Sequence, residues 1–121
     1  MRLWLFLGAL NALIAVCAGA YGWHELGGDE GARKMFAIGV QYQMMHALGL
    51  LAVASVADRR GRAPVVTVAG IAFTLGIVLF SGSLYAFAIT GVLPIEGAAP
   101  MGGFAFIVGW LALMWMAIRG P

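Results

Sequence analysis

Four long apolar runs alternate with short polar segments along the chain. The runs cover about 3–21, 35–56, 65–90 and 101–118, and each is close to the roughly 20 residues that a helix needs to cross a bilayer. Short connections make successive helices antiparallel. The pattern therefore predicts one domain over residues 1–121, an all-α integral membrane protein built as an up-down bundle of four transmembrane helices.

Composition supports a membrane protein over a soluble one. Of the 121 residues, 63% are hydrophobic and 10% are charged. Soluble domains of this size cannot bury such an excess of apolar side chains. The single cysteine, Cys17, excludes an internal disulfide and CxxC redox or zinc motifs. Arg2 and the small residues 18–20 also give the first run some likeness to a signal peptide, but its length favours a retained helix.

The arginines predict the orientation of the bundle. Arg59, Arg60 and Arg62 lie in the middle loop, and with four spans Arg2 and Arg119 fall on the same side. The opposite side carries most of the acidic residues. The positive-inside rule therefore places both termini and the middle loop in the cytoplasm. A net charge of +2 gives no reason to expect a nucleic-acid partner.

Small residues recur at helical spacing in every run and predict the contacts between helices. Such stripes let helix backbones approach closely in lipid, where packing replaces the hydrophobic driving force. The remaining faces suit membrane lipids, and a homo-oligomer or a larger membrane complex is a possible partner. The glycines expected at close contacts are Gly19, Gly39, Gly49, Gly82, Gly102, Gly103 and Gly109.

Most polar residues collect toward the predicted outer ends of the helices, and His46 lies near the floor of this cluster; Asn11, Thr67 and Thr74 are exceptions in the inner half. An imidazole at membrane depth is costly unless it has a partner. We expect a neutral His46 ring inside the bundle, one turn from Tyr42 and facing Ser81 and Tyr85 of the third helix. Its hydrogen-bond partner is expected to be one of these two side chains or a backbone carbonyl. The cluster is either helix packing or a small pocket, and the four tryptophans are expected to be anchors or lipid-facing. The candidate set is Tyr42, Gln43, His46, Ser81, Ser83, Tyr85 and His24.

Catalysis and metal binding are not expected. His46 lies about 15 Å deeper than the outer end of its helix, at about 1.5 Å per residue, whereas His24 follows the first helix. Ligands of one metal must lie within a few ångströms of it, so we predict neither metal nor cofactor. No carboxylate within the apolar runs can orient a histidine toward Ser81 or Ser83. Their hydroxyls are expected to bond the carbonyls of the preceding turn or a neighbouring helix.

Several short motifs resemble those of a known family. They are Gly19-Ala20-Tyr21-Gly22-Trp23-His24, Tyr42-Gln43-Met44-Met45-His46, Leu79-Phe80-Ser81-Gly82-Ser83-Leu84-Tyr85 and Pro100-Met101-Gly102-Gly103. Together they are similar to domain-of-unknown-function family 423, small multi-pass proteins of the bacterial inner membrane that are similar to eukaryotic transmembrane protein 256. The likeness covers nearly the whole chain. It implies four spans and an unassigned activity, with no substrate, cofactor or catalytic residue.

Two functions remain open from the sequence. The first is a non-catalytic accessory, assembly or self-associating membrane component, indicated by the small size and short loops. The alternative is an outward-facing binding or transport module for a small lipid, quinone or solute. A proton-coupled transporter normally needs a carboxylate at membrane depth, and the apolar runs contain none.

Overall fold

The computed structural model describes residues 2–25, 29–60 and 63–119, and the regular structure in these ranges is entirely helical. The helices are α1 (Arg2–Glu25), α2 (Glu30–Arg60), α3 (Pro64–Thr90) and α4 (Ala98–Arg119). Each is long and apolar enough to cross a membrane, which confirms the predicted four-span fold. Arg62 lies outside the described residues.

Local signals explain where several helices begin and end. Asp29 Oδ1 accepts a hydrogen bond from the Ala32 amide at 3.2 Å, so its side chain caps the start of α2. Pro64 occupies the first turn of α3, where its missing N–H costs nothing. Gly91 ends α3 in a left-handed conformation with φ of 77°, which glycine adopts without strain. α2, with 31 residues, extends beyond its predicted apolar run of 35–56 at both ends.

The helices pack mainly in chain order. α1 lies chiefly against α2, and α4 lies chiefly against α3, while α2 and α3 contact each other. The hydrophobic core lies among α2, α3 and α4 and includes Leu50, Phe73 and Phe106. Only 17% of the most apolar window of α1 is buried, against 44% in α2. α1 is therefore the helix least covered by the rest of the bundle.

A close contact between the backbones of α3 and α4 is formed at two glycines. A Cβ atom on Gly102 would lie 2.5 Å from the Phe80 amide nitrogen and 3.0 Å from the Gly76 carbonyl oxygen. On α4, Gly109 faces the Phe73 ring, where a Cβ atom would come within 2.5 Å. The backbone-to-backbone contact at Gly102 requires the absence of a side chain. Gly76 was not among the expected packing glycines.

The other predicted glycines differ in how closely neighbouring atoms approach them. On α2, a Cβ atom at Gly39 would meet the Tyr85 ring at 2.8 Å, and one at Gly49 would meet the Phe73 ring at 3.1 Å. At Gly19 the nearest atom would be at an ordinary 3.5 Å. The prediction of helix packing is wrong for Gly82 and Gly103, where a Cβ atom would meet nothing within 4 Å. Each follows a contacting residue by one position, which turns it about 100° round the helix.

A π-helical turn interrupts α3 at Ile77–Ser81. Its widened turn is closed by a hydrogen bond from the Gly82 amide to the Ile77 carbonyl oxygen, five residues back. Such a turn holds an extra residue and changes the direction in which the following side chains point. Here it leaves the Ser81 side chain fully buried. The apolar pattern predicted an uninterrupted helix at this place.

Candidate functional site

His46 is held by hydrogen bonds at both ring nitrogens. The residue is 2% exposed. Trp110 Nε1 lies 3.0 Å from His46 Nε2, and His46 Nδ1 lies 2.7 Å from the Tyr42 carbonyl oxygen. An indole nitrogen can only donate, so Nε2 is the acceptor and Nδ1 carries the proton. The two bonds therefore fix a neutral ring in one tautomer.

Aromatic side chains from α3 and α4 enclose the imidazole. The Phe106 ring stacks on it with centroids 3.5 Å apart and planes 8° from parallel. The Phe73 ring lies 5.5 Å away at a tilt of 56°, and its edge also meets the Trp110 ring at 4.8 Å. Ring stacking and hydrogen bonding together make His46 a cross-link between α2 and α4.

The predicted hydrogen bond between His46 and Ser81 or Tyr85 of the third helix is not formed, whereas the alternative, a bond to a backbone carbonyl, is made to Tyr42. Ser81 Oγ donates to the Gly39 carbonyl oxygen at 2.8 Å, and the Tyr85 hydroxyl donates to Gln43 Oε1 at 2.7 Å. Both bonds reach α2 nearer its start than His46. Trp110 takes the place expected for Ser81 or Tyr85 because α2 and α4 come close enough for large aromatic side chains to bridge them. Although Trp110 is 40% exposed, its indole N–H points inward, so it is more than lipid-facing bulk.

A second polar chain joins three helices. Gln43 is 4% exposed, accepts from the Tyr85 hydroxyl of α3 and donates through Nε2 to Asn11 Oδ1 of α1 at 3.0 Å. Asn11 in turn donates to the Leu7 carbonyl oxygen at 2.8 Å. Asn11 was missing from the predicted set, although it stands on the small-residue stripe of α1. Its place as a polar residue on a packing face was the available signal.

The remaining predicted residues make local contacts or lie apart. Ser83 Oγ donates to the Leu79 carbonyl oxygen at 2.5 Å, within its own helix. Tyr42 is half-buried and packs against the Phe80 ring, with centroids 4.8 Å apart. His24 is exposed in the last turn of α1 and does not belong to the buried cluster, contrary to the expectation. A residue at the helix end lies too far along the axis to join a cluster at mid-helix.

The buried polar groups are satisfied within the bundle. In residues 2–25, 29–60 and 63–119, every buried side-chain nitrogen or oxygen has a hydrogen-bond partner. Over the same ranges, no group of three His, Cys, Asp or Glu side chains is placed to hold a metal ion. The interior cluster is therefore suited to joining helices, and each of its buried side-chain nitrogen and oxygen atoms already has a partner within the bundle.

Two of the larger grooves lie at the ends of the bundle. One, of about 660 Å³, lies between the end of α1 and the start of α2 and is lined partly by Trp23, Arg33 and Lys34. The other, of about 710 Å³, lies where α2 and α4 end and is lined partly by Arg59 and Arg60. We call these the α1–α2 groove and the arginine groove. Their linings do not include the buried cluster.

Comparison with known proteins points to one family. The model of the family described as "Protein of unknown function (DUF423)" matches residues 18–103. The chain is 43% identical over 121 residues to the UPF0382 membrane protein YwdK of Bacillus subtilis, which covers 98% of both chains. It is 35% identical over 124 residues to the UPF0382 inner membrane protein YgdD of Escherichia coli, covering 98% of this chain and 91% of the relative. No solved structure matches the chain.

Proposed function

The chain belongs to the DUF423 family of membrane proteins, and we propose that it is a non-catalytic component of the bacterial inner membrane. It acts by packing its helix surfaces against a second copy of itself or against a larger membrane complex. The inner-membrane setting follows the name of the Escherichia coli relative.

The bonding of His46 is the observation that carries the proposal. A general acid or base needs a ring nitrogen that can reach the proton it transfers. In His46 one nitrogen is bonded to Trp110 and the other to the Tyr42 carbonyl, and the ring face is covered by Phe106. The residue most suited to chemistry at membrane depth is thus used to hold helices together.

One side of α1 is left open to a protein partner. α1 rests chiefly on one neighbour, and large side chains such as Phe6, Leu13 and Val16 are 60–62% exposed. In lipid, helices associate through van der Waals contact and small residues. A helix covered on one side has room for another helix on the other, either from a second copy or from a different membrane protein.

Oxidative cross-linking in isolated membranes tests this arrangement. Cys17 is exposed on α1 and is the only cysteine in the chain, so no cysteine has to be introduced. Mild oxidation should give a homodimer or a mixed disulfide, and purification in mild detergent should recover the same partner by mass spectrometry. Cys17→Ala is the control and should remove only the cross-link. A monomer that retains no protein in mild detergent contradicts the proposal.

The α1–α2 groove favours a second candidate, a binding module for a small amphipathic molecule. Arg33 lies with its guanidinium 5.5 Å from the Trp23 ring centre, and Lys34 and Glu30 line the same groove. Cationic, aromatic and apolar groups together suit a ligand with one polar end. Mass spectrometry of the purified protein should then find one retained small molecule, lost in Arg33→Gln and kept in Arg119→Gln.

A further inference from the structure

We infer that the arginine groove binds the phosphodiester headgroup of an anionic phospholipid. The groove has a volume of about 710 Å³ and is formed by the last turns of α2 and the facing part of α4. Its lining residues are Val56, Arg59, Arg60, Leu113, Met116 and Ala117. The site is separate from the protein contacts proposed for α1.

The positive charge of the groove comes from two neighbouring arginines. Arg59 and Arg60 both line it, and among the residues that the structure describes no Asp or Glu does. Arg60 Nη2 donates to the Met116 carbonyl oxygen at 2.8 Å, which fixes the side chain across the gap between α2 and α4. A guanidinium has five N–H donors, so most of those on Arg60 remain for a ligand. The planar arrangement of these donors matches phosphate oxygens.

Negative charge near the groove comes from the C-terminal ends of α2 and α4 and from Asp58. α2 and α4 both end here, and a helix C-terminus carries about half a negative charge. Arg60 offsets this at α4 through its bond to Met116, and Arg59 adds a further full positive charge. Asp58 is exposed and does not line the groove. The net field within the groove therefore favours an anion.

The other walls of the groove select a lipid over a free anion. Val56, Leu113 and Ala117 present an apolar surface directly beside the arginines. The glycerol backbone and upper acyl chain of a phospholipid can cover that surface, whereas inorganic phosphate would leave it uncovered. The position at the ends of two membrane-spanning helices is where lipid headgroups lie, and basic pockets between helices at this depth suit anionic lipids.

Native mass spectrometry of the full chain in detergent tests the site. Phosphatidylglycerol and phosphatidylcholine are titrated separately, and inorganic phosphate is added as a competitor. The wild type should retain phosphatidylglycerol preferentially. Arg59→Gln should weaken its binding about fivefold and the double change with Arg60→Gln about 25-fold, since each basic residue near an anionic headgroup contributes about 1 kcal/mol.

Arg119→Gln is the matched control. It removes one positive charge from the same end of the bundle, but Arg119 lies over the Trp115 ring at 5.6 Å and does not line the groove. Its effect should be less than twofold. Equal losses in Arg119→Gln and Arg59→Gln would overturn the inference, because they indicate a general surface charge. Equal retention of both lipids, or displacement by millimolar phosphate, would overturn it as well.

Folding controls keep the result interpretable. Arg59 is exposed, so Arg59→Gln should unfold at the same temperature as the wild type when lipid is absent. Arg60→Lys keeps the charge and should bind phosphatidylglycerol more tightly than Arg60→Gln. If Arg60→Gln is unstable, Arg59→Gln alone decides the matter: unchanged phosphatidylglycerol affinity in that variant overturns the inference.

Discussion

The bond between His46 and Trp110 can be isolated by a double-mutant cycle. His46→Phe keeps an aromatic ring to stack on Phe106 but removes both hydrogen bonds. It leaves the Trp110 N–H without an acceptor in an apolar setting, so we expect a loss of about 1–2 kcal/mol in unfolding free energy. Trp110→Phe removes the donor and should cost a similar amount.

The coupling between the two changes measures the bond itself. Interhelical hydrogen bonds in membrane proteins average about 0.6 kcal/mol and reach about 1.7 kcal/mol. The double variant should therefore be more stable, by about 1 kcal/mol, than the sum of the single losses predicts. His46→Ala should cost more than His46→Phe, about 3 kcal/mol, because it also leaves a cavity beside Phe73 and Phe106.

Unfolding in mixed micelles, followed by circular dichroism, measures these free energies. Trp115→Phe is the control, since Trp115 is on the same helix but 52% exposed, and it should change stability by less than about 0.5 kcal/mol. A coupling indistinguishable from zero, with His46→Phe as stable as the wild type, would show that the bond does not hold α2 to α4.

Three further predictions follow. Gly102→Ala should cost about 2 kcal/mol or more, because its methyl group would lie 2.5 Å from the Phe80 amide nitrogen, while Gly103→Ala should be neutral or slightly stabilising; equal unfolding curves would contradict this. Single cysteines replacing Asp58 or Glu96 in a Cys17→Ala background should react with an impermeant maleimide from outside only at position 96, and the reverse pattern would invert the predicted orientation. Elemental analysis and an absorption spectrum of the purified protein should find no stoichiometric metal or haem; one per chain would contradict this.

The positions of the four spans follow directly from the sequence. A bilayer imposes a length and an apolar character on each helix, and both are readable from the chain without knowing its neighbours. Even the early start of α2 was signalled, because Asp29 stands where a helix cap and the helix dipole favour an acidic side chain. The buried position of His46 was also foreseeable, since it shares a helix face with Gly39, Tyr42 and Gly49.

The partners of the polar residues were decided by the tertiary structure. Depth along a helix can be counted from the sequence, but the rotation of each helix about its axis cannot. The π turn at Ile77–Ser81 adds a residue to α3 and shifts the later side chains by about 100°, and Ser81 and Tyr85 then bond α2 away from His46. The α3–α4 contact at Gly76 and Gly102 likewise depends on how each helix is rotated about its own axis.

The diagonal contact between α2 and α4 had no signal in the order of the helices. Chain order and short loops predict neighbours, and α4 follows α3, so His46 was assigned a partner on α3. Aromatic side chains are long enough to cross the bundle interior, and Phe106 and Trp110 reach the imidazole from a helix that is not adjacent in sequence. Hydrophobic length fixes which segments enter the membrane, whereas the choice of hydrogen-bond partner depends on distances of a few ångströms that only the packed helices determine.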